Sequence, residues 1–209
     1  MAAISKWKKS DMKDDLSGRA GRIGPNAVLQ LLPVLEAAGG AALRDEMLDA
    51  AGLSTPPSDT GLMDEGPAAA MHRALRRRLP GRAPDLLREA GARTGDYILA
   101  HRIPAMAQRV LKLLPPALAA PILAKAIAKH SWTFAGSGAF RVVSTRPLVF
   151  ELTDNPLIRG ETAPHPICVW HEAVFDRLFQ TLVDRRLRTR EQSCSASGGA
   201  VCRFEIARS

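Results

Sequence analysis

No cysteine occurs in the first 167 of the 209 residues, and only three follow: Cys168, Cys194 and Cys202. An odd cysteine count with no secretory leader excludes a disulfide framework and points to a reducing compartment, taken here as the cytoplasm. Aromatic residues are scarce too, at 5%. Single-stranded nucleic acid needs stacking platforms, and duplex DNA needs a helix-turn-helix or zinc-finger spacing; the chain has neither, so nucleic acid is not an expected partner despite a net charge of +8. The clusters Arg73, Arg76, Arg77, Arg78 and Arg185, Arg186, Arg188, Arg190 read mostly as solvated faces. Long apolar runs are missing as well. Lys112, Lys125 and several prolines break the most apolar stretch before the ~20 residues that a spanning helix requires. At most peripheral contact with a membrane surface is left. There is also no strand, G-x-G-x-x-G and helix sequence, no flavin fingerprint, and no cysteine set large enough for an iron–sulfur cluster beside another metal.

What is present gathers at the C-terminal end. Glu191-x2-Cys194-x7-Cys202 has strand-like sequence on both sides of Ser197-Gly198-Gly199, so a hairpin would bring Cys194 and Cys202 together. Cys168, from the preceding helix, can reach the same corner. Soft thiolates converging in this way suit a four-coordinate Zn²⁺ site. The fourth ligand is open between Glu191 and His171, which lies one helical turn after Cys168 and which donor chemistry favours. The competing reading is three buried, unpaired cysteines acting as small hydrophobes.

With 46% hydrophobic and 24% charged residues, the chain has the composition of a single soluble domain. Residues 1–22 read as a flexible basic arm and 23–209 as the domain, with a helical part over 23–130 and a sheet and zinc-binding part over 131–209. Proline and glycine punctuation predicts helices from Pro25 to Gly39, which Pro33 should kink or shorten, then over Ala41–Ala51, Pro67–Leu79, Pro84–His101, Pro104–Leu114 and onward to about Lys129. Ser54–Gly66 reads as a loop. From Ser131, the residues Trp132, Phe134, Phe140, Val142, Leu148, Phe150 and Leu152 predict an antiparallel meander, with Gly136-Ser137-Gly138 as a turn between strands. Ile167 to Leu182 then repeats at helical spacing, and a hairpin over Leu187–Cys194 and Ala200–Ala207 ends the chain. This order predicts an α+β fold, N-terminal helices packed on an antiparallel sheet, with a C-terminal helix and hairpin carrying the zinc site.

Cys168, Glu191-Gln-Ser-Cys194, Gly198-Gly199 and Cys202-Arg-Phe-Glu-Ile206 together resemble the 4-vinyl reductase domain family. Gly21-Arg-Ile-Gly-Pro-Asn-Ala-Val-Leu-Gln30 and His101-Arg-Ile-Pro104 through His130-Ser-Trp-Thr-Phe-Ala-Gly-Ser-Gly138 resemble the bacteriochlorophyll-biosynthesis members of that family from purple phototrophs. The resemblance implies a fold related to trafficking-adaptor subunits and nitric-oxide sensors, a homodimer formed through the N-terminal helices, and a pocket for hydrophobic ring compounds between helices and sheet. It also implies a structural zinc held by Cys168, Glu191, Cys194 and Cys202, which places Glu191 ahead of His171.

The ligand that this resemblance implies is an Mg-porphyrin or chlorophyllide, a flat apolar ring with an open axial metal position and anionic edges. His130, Trp132, Phe134 and His101, with Arg102, Lys112, Lys125 and Lys129 near them in sequence, have the residue types to hold it. Each also has a plain structural reading, as a helix-end histidine or a core aromatic. The expected role is an accessory or carrier protein at the vinyl-reduction stage, working with pathway enzymes and at most peripheral at the photosynthetic membrane. An 8-vinyl reductase (historically a 4-vinyl reductase) and a ligand-sensing regulatory module are the alternatives.

Overall fold

The computed structural model describes residues 21–209. The arm expected over 1–22 therefore lies outside the described residues, apart from Gly21 and Arg22. Arg22–Ile23 (β1) pairs antiparallel with Met63–Asp64 (β2), a short strand inside the predicted loop. Between them lie Asn26–Leu29 (α1) and Leu32–Ala50 (α2). Of the two outcomes expected at Pro33, a kink or a shortened helix, the second is found: α1 stops at Leu29, and Pro33 stands in the first turn of α2, where its missing N–H costs nothing. Gly39 and Gly40 leave helical geometry, so α2 is two helices joined at the predicted glycine break.

Glu65–Arg78 (α3), Ala83–His101 (α4), Ala105–Leu113 (α5) and Pro116–Lys129 (α6) follow. In α3, acid begins the helix at Glu65 and base ends it at Arg76, Arg77 and Arg78, in keeping with the helix dipole. One expectation fails after α6. Trp132 and Phe134 are not in a strand but in the short helix Trp132–Ala135 (α7), where the N–H groups of Phe134 and Ala135 both donate to Ser131 O. Gly136-Ser137-Gly138 accordingly joins a helix to a strand. The alternation of bulky residues that suggested a strand is overridden by this local hydrogen bonding and by packing of Phe134 against Phe140.

The sheet consists of Ala139–Thr145 (β3), Leu148–Thr153 (β4), Leu187–Ser193 (β5) and Cys202–Arg208 (β6), antiparallel throughout in the order β3-β4-β6-β5. Val169–Leu182 (α8) crosses one face of it. The scarce aromatics are concentrated here. All six phenylalanines of the chain, Phe134, Phe140, Phe150, Phe175, Phe179 and Phe204, join one network of ring contacts with centroids 5.1 to 6.1 Å apart. Such edge-to-face pairs add about 0.5–1.5 kcal/mol each beyond the area they bury. On the opposite face of the sheet, Glu151 is held by Arg141 and Arg203 from the strands on either side.

Two contacts fix α8. On one side it lies against α4, with Gly91 and Gly95 at the crossing. A Cβ on Gly91 would collide with Trp170 O and Ala173 Cβ, and one on Gly95 would come within 2.6 Å of Arg177 Cβ. On the other side, Glu172 Oε1 and Asp176 Oδ1 accept from the backbone N–H groups of Glu191 (2.6 Å) and Thr189 (2.5 Å). The outer edge of β5 is thereby capped by the helix rather than left as a template for another strand.

Two buried histidines sit where α3 and α8 meet. His72 donates from Nε2 to Ala27 O (2.9 Å) and stands edge-on to Trp170. Burial, reinforced by the nearby Arg76 charge, holds its pKa down at about 3. It is therefore neutral when folded, whereas the unfolded chain takes up its proton below about pH 6.5. The stability that depends on His72 is complete above pH 6.5 and is lost as pH falls from there toward 3. We expect this residue to account for about 2 kcal/mol of the stability lost between pH 7 and pH 5. Denaturant titrations of wild type and His72→Gln at both pH values check it: the pH-dependent loss in the variant should be smaller by that amount.

Candidate metal centre

Cys168 caps the N-terminus of α8, Glu191 lies in β5, Cys194 follows β5, and Cys202 opens β6. The order is legible from the sequence, but the geometry depends on a feature that is not. Residues 191 and 194 have opposite parity, so a regular strand would turn them to opposite faces. The register slips between Glu191 and Ser193, where Glu191 pairs with Phe204 and Ser193 with Arg203, leaving Gln192 as a bulge. The bulge restores Cys194 to the side on which Glu191 stands. The 3-10 turn Ser195–Ser197 then ends at Gly198, whose φ of +91° suits glycine, and Gly199 returns its N–H to Cys194 O (2.9 Å).

Cys168 Sγ is 3.8 Å from Cys194 Sγ and 3.6 Å from Cys202 Sγ, and one ligand atom from each of Cys168, Glu191, Cys194 and Cys202 lies within 4.8 Å of the others. These distances are far too long for disulfides. They do match the edge of a tetrahedron of sulfurs about 2.3 Å from a shared ion, which is about 3.8 Å. All three cysteines are buried and Glu191 is half-buried.

Glu191 Oε2 accepts from the Cys168 backbone N–H (2.8 Å), while its Oε1 is buried with no hydrogen-bond partner. Burial pushes the Glu191 carboxyl up to about 8, against the pull of Cys168 and with a further push from Cys194. Burial likewise raises the Cys168 thiol well above its usual range. Cys202 goes the other way, to about 3, because the Cys168 and Cys194 thiols donate to it. Burial thus disfavours the ionised forms of Cys168 and Glu191, a cost that a cation would offset, and the donor set, the spacing and the orphaned carboxylate oxygen fit one.

Asn155 supplies what sequence reasoning missed. It is buried, its Oδ1 accepts from Leu157 N (3.1 Å), and its Nδ2 points at Cys168 Sγ (3.3 Å) and Cys202 Sγ (3.8 Å). A neutral donor of this kind disperses thiolate charge. The Asp154-Asn155-Pro156 turn signal was the only trace of it in the sequence. Ser195 Oγ lies 3.5 Å from Cys202 Sγ. His171, the other candidate ligand, is outside the cluster: its ring lies among Trp170, Phe204 and Phe134, buried, with Nε2 unpartnered.

The proposed ring-binding residues have different surroundings. Phe134 is part of the phenylalanine network. His130 ends α6 in an exposed position, with Nδ1 donating to Ala126 O (2.9 Å), and Trp132 follows in α7, half-buried. His101 ends α4 and packs on Tyr97. Clefts of about 530 Å³ along α2 and α3 and about 290 Å³ beside Glu65 and Arg159 are lined by none of the four.

The 4-vinyl reductase domain family matches residues 148–208, the span that holds all four cluster residues. The chain is 56% identical over 187 residues to the bacteriochlorophyll synthase 23 kDa chain of Cereibacter sphaeroides, covering 90% of this chain and 91% of that one. The chain belongs to that protein's family. The protein of the same name from Rhodobacter capsulatus is 49% identical over 185 residues, covering 88% and 86%. Among solved structures, an H-NOX protein from K. algicida aligns with a TM-score of 0.59 at 12% identity, over 90% of this chain and 97% of that one. One from S. oneidensis aligns with a TM-score of 0.51 at 12% identity, over 90% and 96%. These likenesses bear out the α+β class with its antiparallel sheet, as a fold similar to that of H-NOX proteins.

Cys194→Ala should lower bound metal and stability together, by about 4 kcal/mol or more, as loss of a structural ion does. Asn155→Leu should retain one ion per chain yet bind it about 10–100-fold more weakly. Metal analysis, thermal melts and competition with a chromogenic chelator read both. Metal loss from Cys194→Ala with an unchanged melt would remove the structural role.

Proposed function

We propose that this protein is a zinc-stabilised accessory protein of bacteriochlorophyll biosynthesis that binds an Mg-porphyrin or chlorophyllide and presents it to a pathway enzyme at the vinyl-reduction stage. The observation that carries the reading is the 56% identity, over nearly the whole chain, to a protein named as a chain of bacteriochlorophyll synthase. The name places that relative among synthase subunits, which supports pathway enzymes as partners here. Zinc is the ion best suited to three thiolates and a carboxylate. Bound by Cys168, Glu191, Cys194 and Cys202, it has four protein ligands and no open position, so its contribution is to hold α8 against the hairpin. The protein works in the cytoplasm or at the surface of the photosynthetic membrane, and no helix among the described residues is long and apolar enough to cross one. A homodimer formed through the N-terminal helices belongs to the same reading.

For the pigment, His130 is the strongest of the four proposed contacts. A carbonyl only accepts, so the bond to Ala126 O puts the proton on Nδ1 and leaves the Nε2 lone pair of the neutral ring for an axial bond to magnesium. Trp132 offers an apolar surface two residues on. Phe134 supports that corner from the core, and His101 is the weaker axial candidate.

Spectral titration of the zinc-loaded protein with divinyl and monovinyl Mg-tetrapyrroles, with and without NADPH, tests the reading. We expect binding with no conversion of the pigment. His130→Ala should weaken Mg-pigment binding about tenfold while leaving binding of the metal-free pigment unchanged, because the axial bond alone is lost. Conversion of divinyl to monovinyl pigment would make the protein the reductase instead, and failure to bind any of these pigments would overturn the proposal.

A further inference from the structure

The helices α5 and α6 form a hairpin joined at Leu114 and Pro115, and each packs only one side against the rest of the fold. On α5, Leu111 is buried, while Met106, Val110 and Leu113 are 67%, 50% and 85% exposed. Their spacing of four and three residues makes one stripe. On α6, Ala119, Leu123, Ala124 and Ile127 are buried, while Leu118 and Ile122 are 54% and 52% exposed. Lys125 and Lys129 continue the α6 stripe at the same helical spacing, both exposed.

The charge around this face has one sign. No Asp or Glu occurs between Asp96 and Glu151. Every lysine beyond residue 20 lies on the hairpin, as Lys112, Lys125 and Lys129, and Arg109 joins them. Elsewhere in the described residues, the cationic side chains are arginines, many of them paired with carboxylates. Flexible lysines beside exposed aliphatic stripes are the composition of a helix that lies in a lipid interface.

The same observations separate this occupant from others. A second copy of the chain docking hairpin to hairpin would set cation against cation, with no acid on either hairpin to compensate. For a protein partner the hairpin has little directional hydrogen bonding to offer beyond its charges. The only amide side chain on the hairpin, Gln108, already spends its Nε2 on Leu99 O and Ile103 O (2.6 and 2.9 Å). What the face offers is hydrocarbon and mobile positive charge.

We infer that the α5–α6 hairpin seats this protein on an anionic membrane surface, with Met106, Val110, Leu113, Leu118 and Ile122 entering the headgroup boundary and the lysines meeting lipid phosphates. The inference does not rest on pigment binding. Flotation of the full chain with phosphatidylcholine vesicles, with and without phosphatidylglycerol, tests it. The wild type should float with the anionic vesicles, less so at high salt and little with neutral ones. Leu113→Glu/Ile122→Glu, at two exposed positions, should lower that binding by about tenfold or more with an unchanged melting temperature. Lys112→Gln/Lys125→Gln/Lys129→Gln should flatten the salt dependence.

No flotation of the wild type would overturn the inference. So would undiminished flotation of the double Glu variant, since binding would then lie elsewhere, including the basic residues 1–20. If the double Glu variant instead turned a dimer into a monomer in sedimentation, or abolished pigment binding while no form floated, the face would belong to a second copy or to the pigment.

Discussion

Three sulfurs and a carboxylate oxygen within 4.8 Å of one another repel once ionised, and their surroundings in the C-terminal part of the chain answer that repulsion. Cys168 meets it at a helix N-terminus, where free N–H groups and the dipole favour negative charge. Asn155 meets it with a side-chain amide NH2 that donates to two sulfurs. Glu191 meets it by giving one oxygen to the Cys168 N–H and leaving the other free. A soft divalent ion bound there would complete the balance and join the start of α8 to both strands of the hairpin.

The phenylalanine network performs the complementary task with hydrocarbon. A chain with so few aromatic residues has placed all six phenylalanines between α8 and the sheet, so a strongly packed region adjoins a strongly polar one. The N-terminal helices are held mainly by aliphatic packing, with the Arg76–Glu161 and Arg159–Glu65 pairs tying α3 to the loop after β4. The helical part leaves apolar side chains of α5 and α6 at the surface, whereas those of the sheet part are mostly turned inward.

Much of this was legible in the sequence because its signals were local. Prolines at helix starts, the Gly39-Gly40 break and the 3.6-residue period of α8 all reappear as structure. The cluster was legible as a set of residue types on a hairpin. Its geometry was not, because a bulge at Gln192 leaves no compositional mark and Asn155 reaches the sulfurs only through the tertiary fold. Trp132 and Phe134 misled for the converse reason: an alternating pattern spanning only two bulky residues cannot tell a strand from one turn of helix.

The glycine pair on α4 has a consequence for how this chain can be divided. The family match begins at residue 148, yet α8 sits in a groove that only Gly91 and Gly95 make deep enough. The C-terminal segment is thus not a transplantable module in its own right. Grafted onto another helical scaffold, it would carry its ligands and its bulge but lose the surface that orients Cys168. Because backbone and Cβ atoms of α8 do the crowding, changing its side chains would not relieve the need for glycine at 91 and 95, so the packing unit is larger than the segment the sequence match delimits.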